Sequence, residues 1–181
     1  LGMGRSRAQM ITETEGAELT AVVDLNEELA STVGEELGCS WSTDLEDVLG
    51  RADVDAVMVM TPSGLHADIG VQAAGAGKHV IVTKPMDVST SACDRLIQAC
   101  DSAHVMLAVD YQSRYVEGNC RIAEAIGQGW LGDLILGEAR FKLFRGAEYF
   151  ESGTGWRGSW ALDGGGSLAN QGAHLLDMLL W

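Results

Sequence analysis

The sequence has few prolines, few basic residues and no long apolar run, and each shortage excludes a class of protein. Two prolines in 181 residues, with 46% of the residues hydrophobic, indicate a packed globular chain rather than a disordered one. No apolar run reaches the roughly 18 residues that a membrane span needs, and no signal peptide is recognisable at the start. These absences predict a cytoplasmic protein with no membrane contact.

The shortage of positive charge excludes a nucleic-acid-binding surface. Lysine and arginine number 12 against 26 aspartates and glutamates, which gives a formal net charge of −14. A phosphate backbone needs a basic face, and this charge would repel it. We therefore expect no nucleic-acid partner.

Cysteine is scarce, and its spacing fits neither a metal site nor a disulfide framework. The four residues are Cys39, Cys93, Cys100 and Cys120, and no pair has the C-x-x-C spacing. Zinc sites and small disulfide-rich domains depend on such closely paired cysteines. We expect no bound metal and four reduced thiols.

The chain does contain a regular alternation of short apolar runs and helical patterns. Strands are predicted at 18–23, 55–60, 79–82 and 105–109, and helices at 26–37, 65–76 and 89–103, the last with Ser89 as its N-cap. Strand and helix in alternation are typical of a parallel sheet with crossover helices. The predicted fold class is α/β, with a doubly wound parallel sheet.

The pattern changes near residue 115. A helix is predicted at 116–127, a long alternating strand at 134–144, a loop rich in glycine and aromatics at 145–163, and a leucine-rich helix at about 167–181. One strand and one helix cannot bury their own faces. We therefore divide the chain into a first domain, residues 1–115, and the beginning of a second, residues 116–181, which we expect to continue beyond Trp181.

The first residues have the composition of a phosphate-binding turn. In the segment Leu1-Gly2-Met3-Gly4-Arg5, the two glycines would let the backbone approach a pyrophosphate, and a helix starting near Arg5 would offer its N-terminal amides. Such a turn follows a strand, and no strand precedes it here, so we expect the first strand to be missing. Glycine pairs also serve ordinary turns, and that interpretation stays open.

An acidic residue follows the first predicted strand. Asp24 lies about 20 residues after the glycine turn, where its carboxylate can accept hydrogen bonds from the hydroxyls of an adenosine ribose. The same charge would repel a 2′-phosphate, so Asp24 favours NAD over NADP. The alternative is that Asp24 caps the helix at 26–37.

Two further strand ends carry candidate site residues. Thr61 and Pro62 follow one strand, and Thr83 and Lys84 follow the next. Ligands of a doubly wound sheet bind outside the carboxyl ends of its strands. A lysine at a buried strand end is costly without a partner or a task, so Lys84 is a candidate, with an ordinary surface lysine as the alternative.

The last helix carries a polar stripe on an otherwise apolar surface. Ser167, Asn170, His174 and Asp177 lie within one arc at about 100° per residue, and leucines cover the rest. A helix that is apolar nearly all round is expected to be buried, so the stripe faces partners or a cavity. A histidine satisfied within the core is the alternative for His174.

In this order and spacing, the motifs resemble the glucose-fructose oxidoreductase / inositol dehydrogenase / MocA family of NAD(P)-dependent dehydrogenases. The resemblance covers the whole chain. It runs through Gly2-Met3-Gly4-Arg5, Asp24, Asp53-Val54-Asp55-Ala56-Val57, Thr61-Pro62-Ser63-Gly64-Leu65-His66, Gly77-Lys78-His79-Val80, Lys84-Pro85 and Trp156-Arg157-Gly158-Ser159-Trp160, and through Gly164-Gly165-Gly166 to His174.

The resemblance implies a Rossmann-type domain, followed by a substrate domain with an open, mostly antiparallel sheet, in a homo-oligomer that is a dimer or tetramer. It implies NAD as the cofactor, with NADP disfavoured. The implied cofactor-binding residues are Gly2, Met3, Gly4, Arg5, Asp24, Thr61, Pro62, His66, Thr83 and Lys84. The implied substrate-binding residues are Tyr111, Arg114, Trp156, Arg157 and Asn170.

The resemblance also implies roles at the reacting carbon. Lys84 would orient and polarise the reacting oxygen. His174 would take the hydroxyl proton while hydride leaves the same carbon for the nicotinamide, and Asn170 completes the catalytic set. A near-neutral pKa suits histidine to act as a general base, and a cation stabilises a developing alkoxide.

Two residues depart from the family pattern. Thr83 replaces the glutamate before the lysine, and Asn170 replaces an aspartate four residues before the histidine. Asn170 can bind substrate but cannot share a proton. Asn170 and Gln171, with the Trp-Arg-Gly-Ser-Trp motif, resemble a branch that includes nucleotide-sugar dehydrogenases acting on UDP-linked hexuronates.

The sequence thus predicts an oxidoreductase that interconverts a secondary alcohol and a ketone on a sugar, cyclitol or nucleotide-sugar derivative. One alternative is a non-catalytic NAD- or sugar-binding sensor, which Thr83 and Asn170 would suit. Another is a lyase or glycosidase that uses NAD transiently, with a tyrosine as its base. The candidate tyrosines are Tyr111, Tyr115 and Tyr149.

Overall fold

The computed structural model describes residues 2–152 and 155–181. Its helices are α1 (Gly2–Thr12), α2 (Glu27–Leu37), α3 (Glu46–Leu49), α4 (His66–Gly75), α5 (Thr90–Ala103), α6 (Glu117–Gly127), α7 (Ala147–Glu151) and α8 (Ala173–Leu180). Its strands are β1 (Ala21–Val23), β2 (Ser40–Ser42), β3 (Ala56–Val59), β4 (His79–Thr83) and β5 (Leu107–Asp110). Leu1, from the predicted phosphate-binding turn, and residues 153 and 154, from the predicted loop, lie outside the described residues.

The strands of the described residues form two parallel sheets. β1 pairs with β2, and β4 lies between β3 and β5. The carboxyl ends of β3, β4 and β5 therefore meet at one edge, where Thr83 of β4 stands opposite Asp110 of β5. The predicted α/β, Rossmann-like arrangement with parallel strands is confirmed for this part of the chain. β2 and α3, with three and four residues, were not predicted because so few residues carry no readable periodicity.

Capping side chains set where the crossover helices begin. Asn26 accepts a hydrogen bond from the amide three residues later and opens α2, and Ser89 does the same for α5. The prediction of Ser89 as a cap is confirmed. The alternative interpretation of Asp24 as the cap of α2 is wrong, because the Asp24 carboxylate accepts its hydrogen bond from the amide of Asn26 instead.

The core lies between the three-stranded sheet and helices α4 and α5. Its buried residues are Leu49, Val59, Ala67, Ala73, Ala74, Val80, Val82, Ala92, Leu96 and Cys100. The two helices approach so closely at Gly70 that a Cβ there would lie 2.6 Å from a methyl carbon of Leu96. This packing fixes the positions of the strand ends that carry the candidate site.

The first helix begins earlier than predicted. α1 starts at Gly2, so Met3 and Gly4 belong to its first turn rather than to a separate loop. The prediction of a helix start near Arg5 is wrong by about one turn. The amides of a first helical turn have no carbonyl partner within the helix, so those of Met3 and Gly4 are not used by α1 itself.

The strand predicted at 134–144 is not formed. The segment is irregular, and Ile135 is 98% exposed. A strand exists only through pairing, and no other strand lies within the described residues of 116–181. The alternating pattern therefore indicated a segment with one apolar and one polar face, but it could not show whether a second strand is there to pair with it. The antiparallel sheet implied for the second domain is likewise not formed by the described residues.

Two other expectations for the second region need correction. The predicted loop at 145–163 contains α7, and the helix predicted at 167–181 begins with a π-helical turn, Leu168–Gly172, before α8. The expectation that this helix is buried all round is also wrong, because Leu176, Leu179 and Leu180 are exposed. The helix packs on its polar side, which includes the half-buried Asn170 and His174.

Two kinds of feature are absent from the described residues. None of their helices has the length and hydropathy that crossing a bilayer requires. Nor do they contain a group of three or more histidine, cysteine, aspartate or glutamate side chains arranged to hold a metal ion. The four cysteines are free thiols, of which Cys100 is buried.

Candidate active site

The candidate site lies where Lys84, at the carboxyl end of β4, meets the turn before α8. The Lys84 ammonium group donates hydrogen bonds to the side-chain oxygen of Asn170, at 3.0 Å, and to the backbone carbonyl of the same residue. These contacts join residues that are 86 positions apart in the sequence. Two of the three predicted catalytic residues are therefore in direct contact.

A buried carboxylate supports this pair. Asp163 is only 3% exposed, and its two oxygens accept hydrogen bonds from the side-chain amide of Asn170, at 3.0 Å, and from the backbone amide of Gly158, at 2.9 Å. Asp163 thus fixes the orientation of the Asn170 side chain, with the oxygen turned to Lys84. The sequence analysis did not identify Asp163, because nothing in its local pattern distinguishes it from a loop aspartate.

The environment lowers the pKa of both candidate proton-handling groups. Burial lowers the pKa of Lys84, and the carboxylate of Asp163 acts in the opposite direction. Burial, followed by the charge of Lys84, lowers the pKa of His174, and the carboxylates of Asp110 and Asp177 oppose this shift. His174 is therefore held as a neutral imidazole at pH 7, the form that can accept a proton.

His174 keeps a free acceptor or donor position inside the site. Its Nδ1 atom is buried and has no hydrogen-bond partner among the described residues. The ring of Tyr111 stands edge-on to the imidazole, with 6.2 Å between the ring centres. A buried polar atom without a partner is uncommon in proteins, and a ligand that supplies the partner is one explanation.

His66, predicted to bind cofactor, is buried between the segments that follow β3 and β4. The side chain is 1% exposed, and its two ring nitrogens each lie 2.9 Å from a backbone carbonyl, those of Pro85 and Thr61. The Thr83 hydroxyl, also buried, is 3.4 Å from the same ring. His66 therefore ties together the segments that follow β3 and β4, and so positions Lys84.

The loop after α7 is held against the first domain at a glycine. The amide of Gly64 donates a hydrogen bond to the carbonyl of Leu162, at 3.0 Å. A Cβ on Gly64 would overlap the carbonyl oxygen of Ala161, so only glycine permits this approach. The contact places the Asp163 carboxylate next to Lys84.

The helix α8 is anchored through an ion pair. Arg114, predicted to bind substrate, forms two hydrogen bonds with Asp177, at 2.9 and 2.7 Å, and Asp177 is 8% exposed on its side chain. Arg114 thus orients α8 from the turn that follows β5.

Beside the ion pair of Arg114 and Asp177 lies a cleft of about 410 Å³, whose lining includes Pro85, Tyr111 and Leu168.

The remaining predicted substrate residues, Trp156 and Arg157, are grouped with Tyr149. The guanidinium of Arg157 stacks 4.8 Å from the ring centre of Trp156 and 5.0 Å from that of Tyr149. The Tyr149 hydroxyl lies 3.5 Å from the side-chain amide of Asn170. The site thus extends from Lys84 through Asn170 to this aromatic group.

The strand ends also fit a dinucleotide. The Thr61 hydroxyl, after β3, is buried and has no hydrogen-bond partner among the described residues. Asp24, after β1, is half-buried and uses one carboxylate oxygen for the amide of Asn26, and the other accepts no hydrogen bond from the described residues. The Arg5 side chain turns away to pair with Glu36, at 2.8 Å, and Met3 is exposed. Among these predicted cofactor-binding residues, Asp24 and Thr61 therefore have oxygen atoms free to bind a ligand.

Comparison with known protein families gives matches over nearly the whole chain. A family described as "Oxidoreductase family, NAD-binding Rossmann fold" matches residues 1–111. A second, described as "GFO/IDH/MocA C-terminal domain", matches residues 120–181.

Curated relatives align with part of their own length. The chain is 32% identical over 132 residues to a 2,7-anhydro-N-acetylneuraminate hydratase of Mediterraneibacter gnavus. The aligned residues make up 73% of this chain and 35% of that protein. It is 30% identical over 140 residues to the scyllo-inositol 2-dehydrogenase (NAD(+)) of Bacillus subtilis, which covers 75% of this chain and 41% of that protein. The chain therefore spans about a third to two fifths of the length of these relatives.

Two solved structures align over all or nearly all of this chain. The WlbA dehydrogenase of Bordetella pertussis, in complex with NADH and UDP-GlcNAcA, superposes with a TM-score of 0.88 at 31% identity, covering 100% of this chain and 52% of that one. GenD2 from gentamicin A biosynthesis, in complex with NAD, superposes with a TM-score of 0.82 at 25% identity. The alignment covers 97% of this chain and 49% of that one.

Proposed function

The chain belongs to the Gfo/Idh/MocA family of oxidoreductases, and we propose that the protein transfers a hydride between NAD and a carbon that bears a secondary hydroxyl. The proposed substrate is a sugar, a cyclitol or a nucleotide-sugar derivative. The proposal includes two domains that divide near residue 115.

One observation carries this proposal. Lys84 and Asn170 are in contact after β4, the charge of Lys84 acts on His174, and the Nδ1 atom of His174 is without a partner among the described residues. A cation, an amide and a neutral imidazole in one place are the groups that alcohol oxidation needs. The cation stabilises developing negative charge on oxygen, the amide orients the hydroxyl, and the imidazole accepts a proton.

The residues divide the reaction between them. His174 would take the proton of the substrate hydroxyl, since its lowered pKa keeps it neutral. Lys84 would donate a hydrogen bond to the same oxygen as the carbonyl forms. Asn170, whose side chain Asp163 orients, would keep Lys84 and His174 directed at that oxygen. In the reverse direction the protonated imidazole returns its proton to the oxygen.

The cofactor supplies the redox chemistry: when bound, NAD accepts the hydride that leaves the oxidised carbon. Asp24 would accept hydrogen bonds from the ribose hydroxyls, and its charge disfavours a 2′-phosphate. The buried Thr61 hydroxyl would find its missing partner on the dinucleotide. The first turn of α1 would present its amides to the pyrophosphate.

The substrate class is supported by the relatives. The Bordetella structure holds UDP-GlcNAcA, and the Bacillus relative is named for scyllo-inositol. The full-length superposition on the former, together with Asn170 and the Trp156–Trp160 motif, favours a nucleotide sugar over an inositol.

The proposal is tested on the full protein by titration calorimetry with NAD and NADP, followed by a substrate screen. Free sugars, inositols and UDP-sugars are incubated with NAD, and reduced nicotinamide is followed by its absorbance. We expect NAD to bind more tightly than NADP and at least one UDP-sugar to reduce it. Tight NAD binding with no reduction by any candidate would contradict the proposal.

A second candidate is a lyase that oxidises its substrate transiently and ends with no net redox change. The hydratase from Mediterraneibacter gnavus supports this class. Such an enzyme needs a further base. Burial, with the charge of Asp177, raises the pKa of Tyr111, so less of it is in the phenolate form that accepts a proton, whereas Tyr149 contacts Asn170 directly. Product formation without accumulation of reduced nicotinamide would favour this candidate.

A further inference from the structure

Two arginines of the chain have no carboxylate partner among the described residues. The sequence contains nine arginines, and seven of them form ion pairs with aspartate or glutamate. The two others are Arg145 and Arg157. In a chain with 26 acidic and 12 basic residues, an arginine readily finds a carboxylate, so two unpaired arginines are unexpected.

The two unpaired arginines lie on the same aromatic ring. The guanidinium carbon of Arg145 is 4.7 Å from the ring centre of Tyr149, and that of Arg157 is 5.0 Å from it. Stacking holds a guanidinium in place through its face and leaves its N–H edge available. Arg157 uses part of that edge for the Ser152 hydroxyl, at 3.3 Å.

Tyr149 connects this pair to the candidate active site. Its hydroxyl lies 3.5 Å from the side-chain amide nitrogen of Asn170 and 3.4 Å from that of Gln171. Asn170 in turn contacts Lys84, at 3.0 Å. The arginine pair therefore stands one aromatic side chain away from the group that would hold the reacting oxygen.

We propose that Arg145 and Arg157, presented by Tyr149, form a subsite for an oxyanion of the substrate. The proposal rests on the proposed function and narrows it to sugar derivatives that carry a carboxylate or a phosphate. Two like charges beside one ring repel each other, and a bound anion removes that repulsion. The planar guanidinium also matches carboxylate and phosphate oxygens in a two-point contact.

The carboxylate of a hexuronate and the diphosphate of a UDP-sugar both offer this oxyanion. A set of four ligands separates the two sources: glucose, glucuronate, UDP-glucose and UDP-glucuronate. Each is titrated calorimetrically into the full protein saturated with NADH, so that binding is measured without turnover. Hydride transfer from the same ligands to NAD is recorded separately.

The variants are Arg145→Gln, Arg157→Gln and the double substitution. We expect the double variant to bind the preferred anionic ligand about 10- to 100-fold more weakly, as the loss of charged hydrogen bonds predicts. Arg157→Lys keeps the charge but loses the planar fork, so an intermediate loss is expected. Arg121→Gln is the matched control, because Arg121 is exposed and pairs with Glu117 away from the site. Thermal melting checks that each variant is folded.

The four ligands give distinct results. Tighter binding of glucuronate than of glucose, lost in the double variant, identifies a sugar carboxylate as the ligand. Tighter binding of UDP-glucose than of glucose, lost in the same way, identifies the diphosphate. The proposal is overturned if no anionic ligand binds the wild-type protein better than glucose, or if the double variant keeps the wild-type preference.

The binding and turnover results also separate this proposal from the proposed function. Hydride transfer that is indifferent to both arginines leaves the function standing and overturns the oxyanion subsite. Arginine-dependent binding without any hydride transfer supports the subsite and contradicts the dehydrogenase activity.

Discussion

The ammonium group of Lys84 donates a hydrogen bond to the side-chain oxygen of Asn170 across 3.0 Å, and the other end of that amide donates one to Asp163. One asparagine thereby links a half-buried cation to a buried carboxylate. In this chain Thr83 precedes the lysine, and Asp163 supplies the opposing charge that stabilises its ammonium form. The electrostatics of the site therefore depend on a residue from the second region of the chain.

The pH dependence of turnover is the first prediction. Activity needs His174 neutral, so it falls as the pH drops below the pKa of His174, and it needs Lys84 charged, so it falls as the pH rises above the pKa of Lys84. Both pKa values are lowered, chiefly by burial. We expect a bell-shaped profile of kcat/KM with both limbs at lower pH than free side chains would give. A kcat/KM that stays constant over the whole range between the ordinary pKa values of histidine and lysine would contradict the assignment.

Substitutions at Asp163 and Asn170 should move the alkaline limb in opposite directions. Asp163→Asn removes the charge that raises the pKa of Lys84, so the limb moves to lower pH. Asn170→Asp places a carboxylate about 3 Å from the ammonium group, so the limb moves to higher pH, by about one unit or more. Profiles of kcat/KM against pH give both shifts.

The control for this pair is Asp68→Asn. Asp68 is exposed and pairs with Arg95, so Asp68→Asn changes the net charge as Asp163→Asn does, and opposite to Asn170→Asp, without touching the site. Its profile should match that of the wild type. Shifts of equal sign in the two site variants would show that Lys84 does not set the alkaline limb.

Cofactor choice should depend on Asp24. Its charge disfavours a 2′-phosphate, so Asp24→Asn should weaken NAD binding and strengthen NADP binding, with the ratio of the two affinities falling about 10-fold or more. Asparagine keeps an acceptor for the amide of Asn26, so the fold should be unaffected. Titration with both dinucleotides measures the ratio, and an unchanged ratio would remove Asp24 from the ribose site.

The stability of the fold before residue 116 should depend on Leu96. Its side chain is fully buried between α5, α4 and the sheet. Leu96→Ala should lower the free energy of unfolding by about 2–5 kcal/mol, measured by urea denaturation. Leu25→Ala is the matched control, because Leu25 is 92% exposed and should cost less than about 0.5 kcal/mol. Equal losses in the two variants would contradict the description of the core.

Most elements before residue 116 were predictable because their signals are local, with β2 and α3 as the exceptions. The cap at Ser89 and the buried β4 next to Lys84 follow from neighbouring residues, and both are confirmed. The start of α1 was misplaced because glycines tolerate both a turn and a helix. The strand expected at 134–144 was wrong because alternation describes a strand's faces but cannot provide a pairing partner.

The candidate site was predictable in part. Lys84 and Asn170 were both proposed, but nothing in the sequence showed that they touch. Asp163 and Arg145 were missed, because a buried charge and an unpaired charge are defined by distant neighbours. His66 was assigned to the cofactor from its motif, and the sequence did not show that its ring lies buried between two backbone carbonyls.

The central claim is that Lys84 stabilises charge on the reacting oxygen while the cofactor is held by other residues. The most direct test measures turnover and NADH affinity together for Lys84→Met in the full protein, with the exposed Lys142→Met as the control. We predict that Lys84→Met lowers kcat/KM about 100- to 1,000-fold, as the loss of one such donor does in other enzymes, and leaves NADH binding nearly unchanged. A Lys84→Met enzyme with wild-type turnover would contradict the claim.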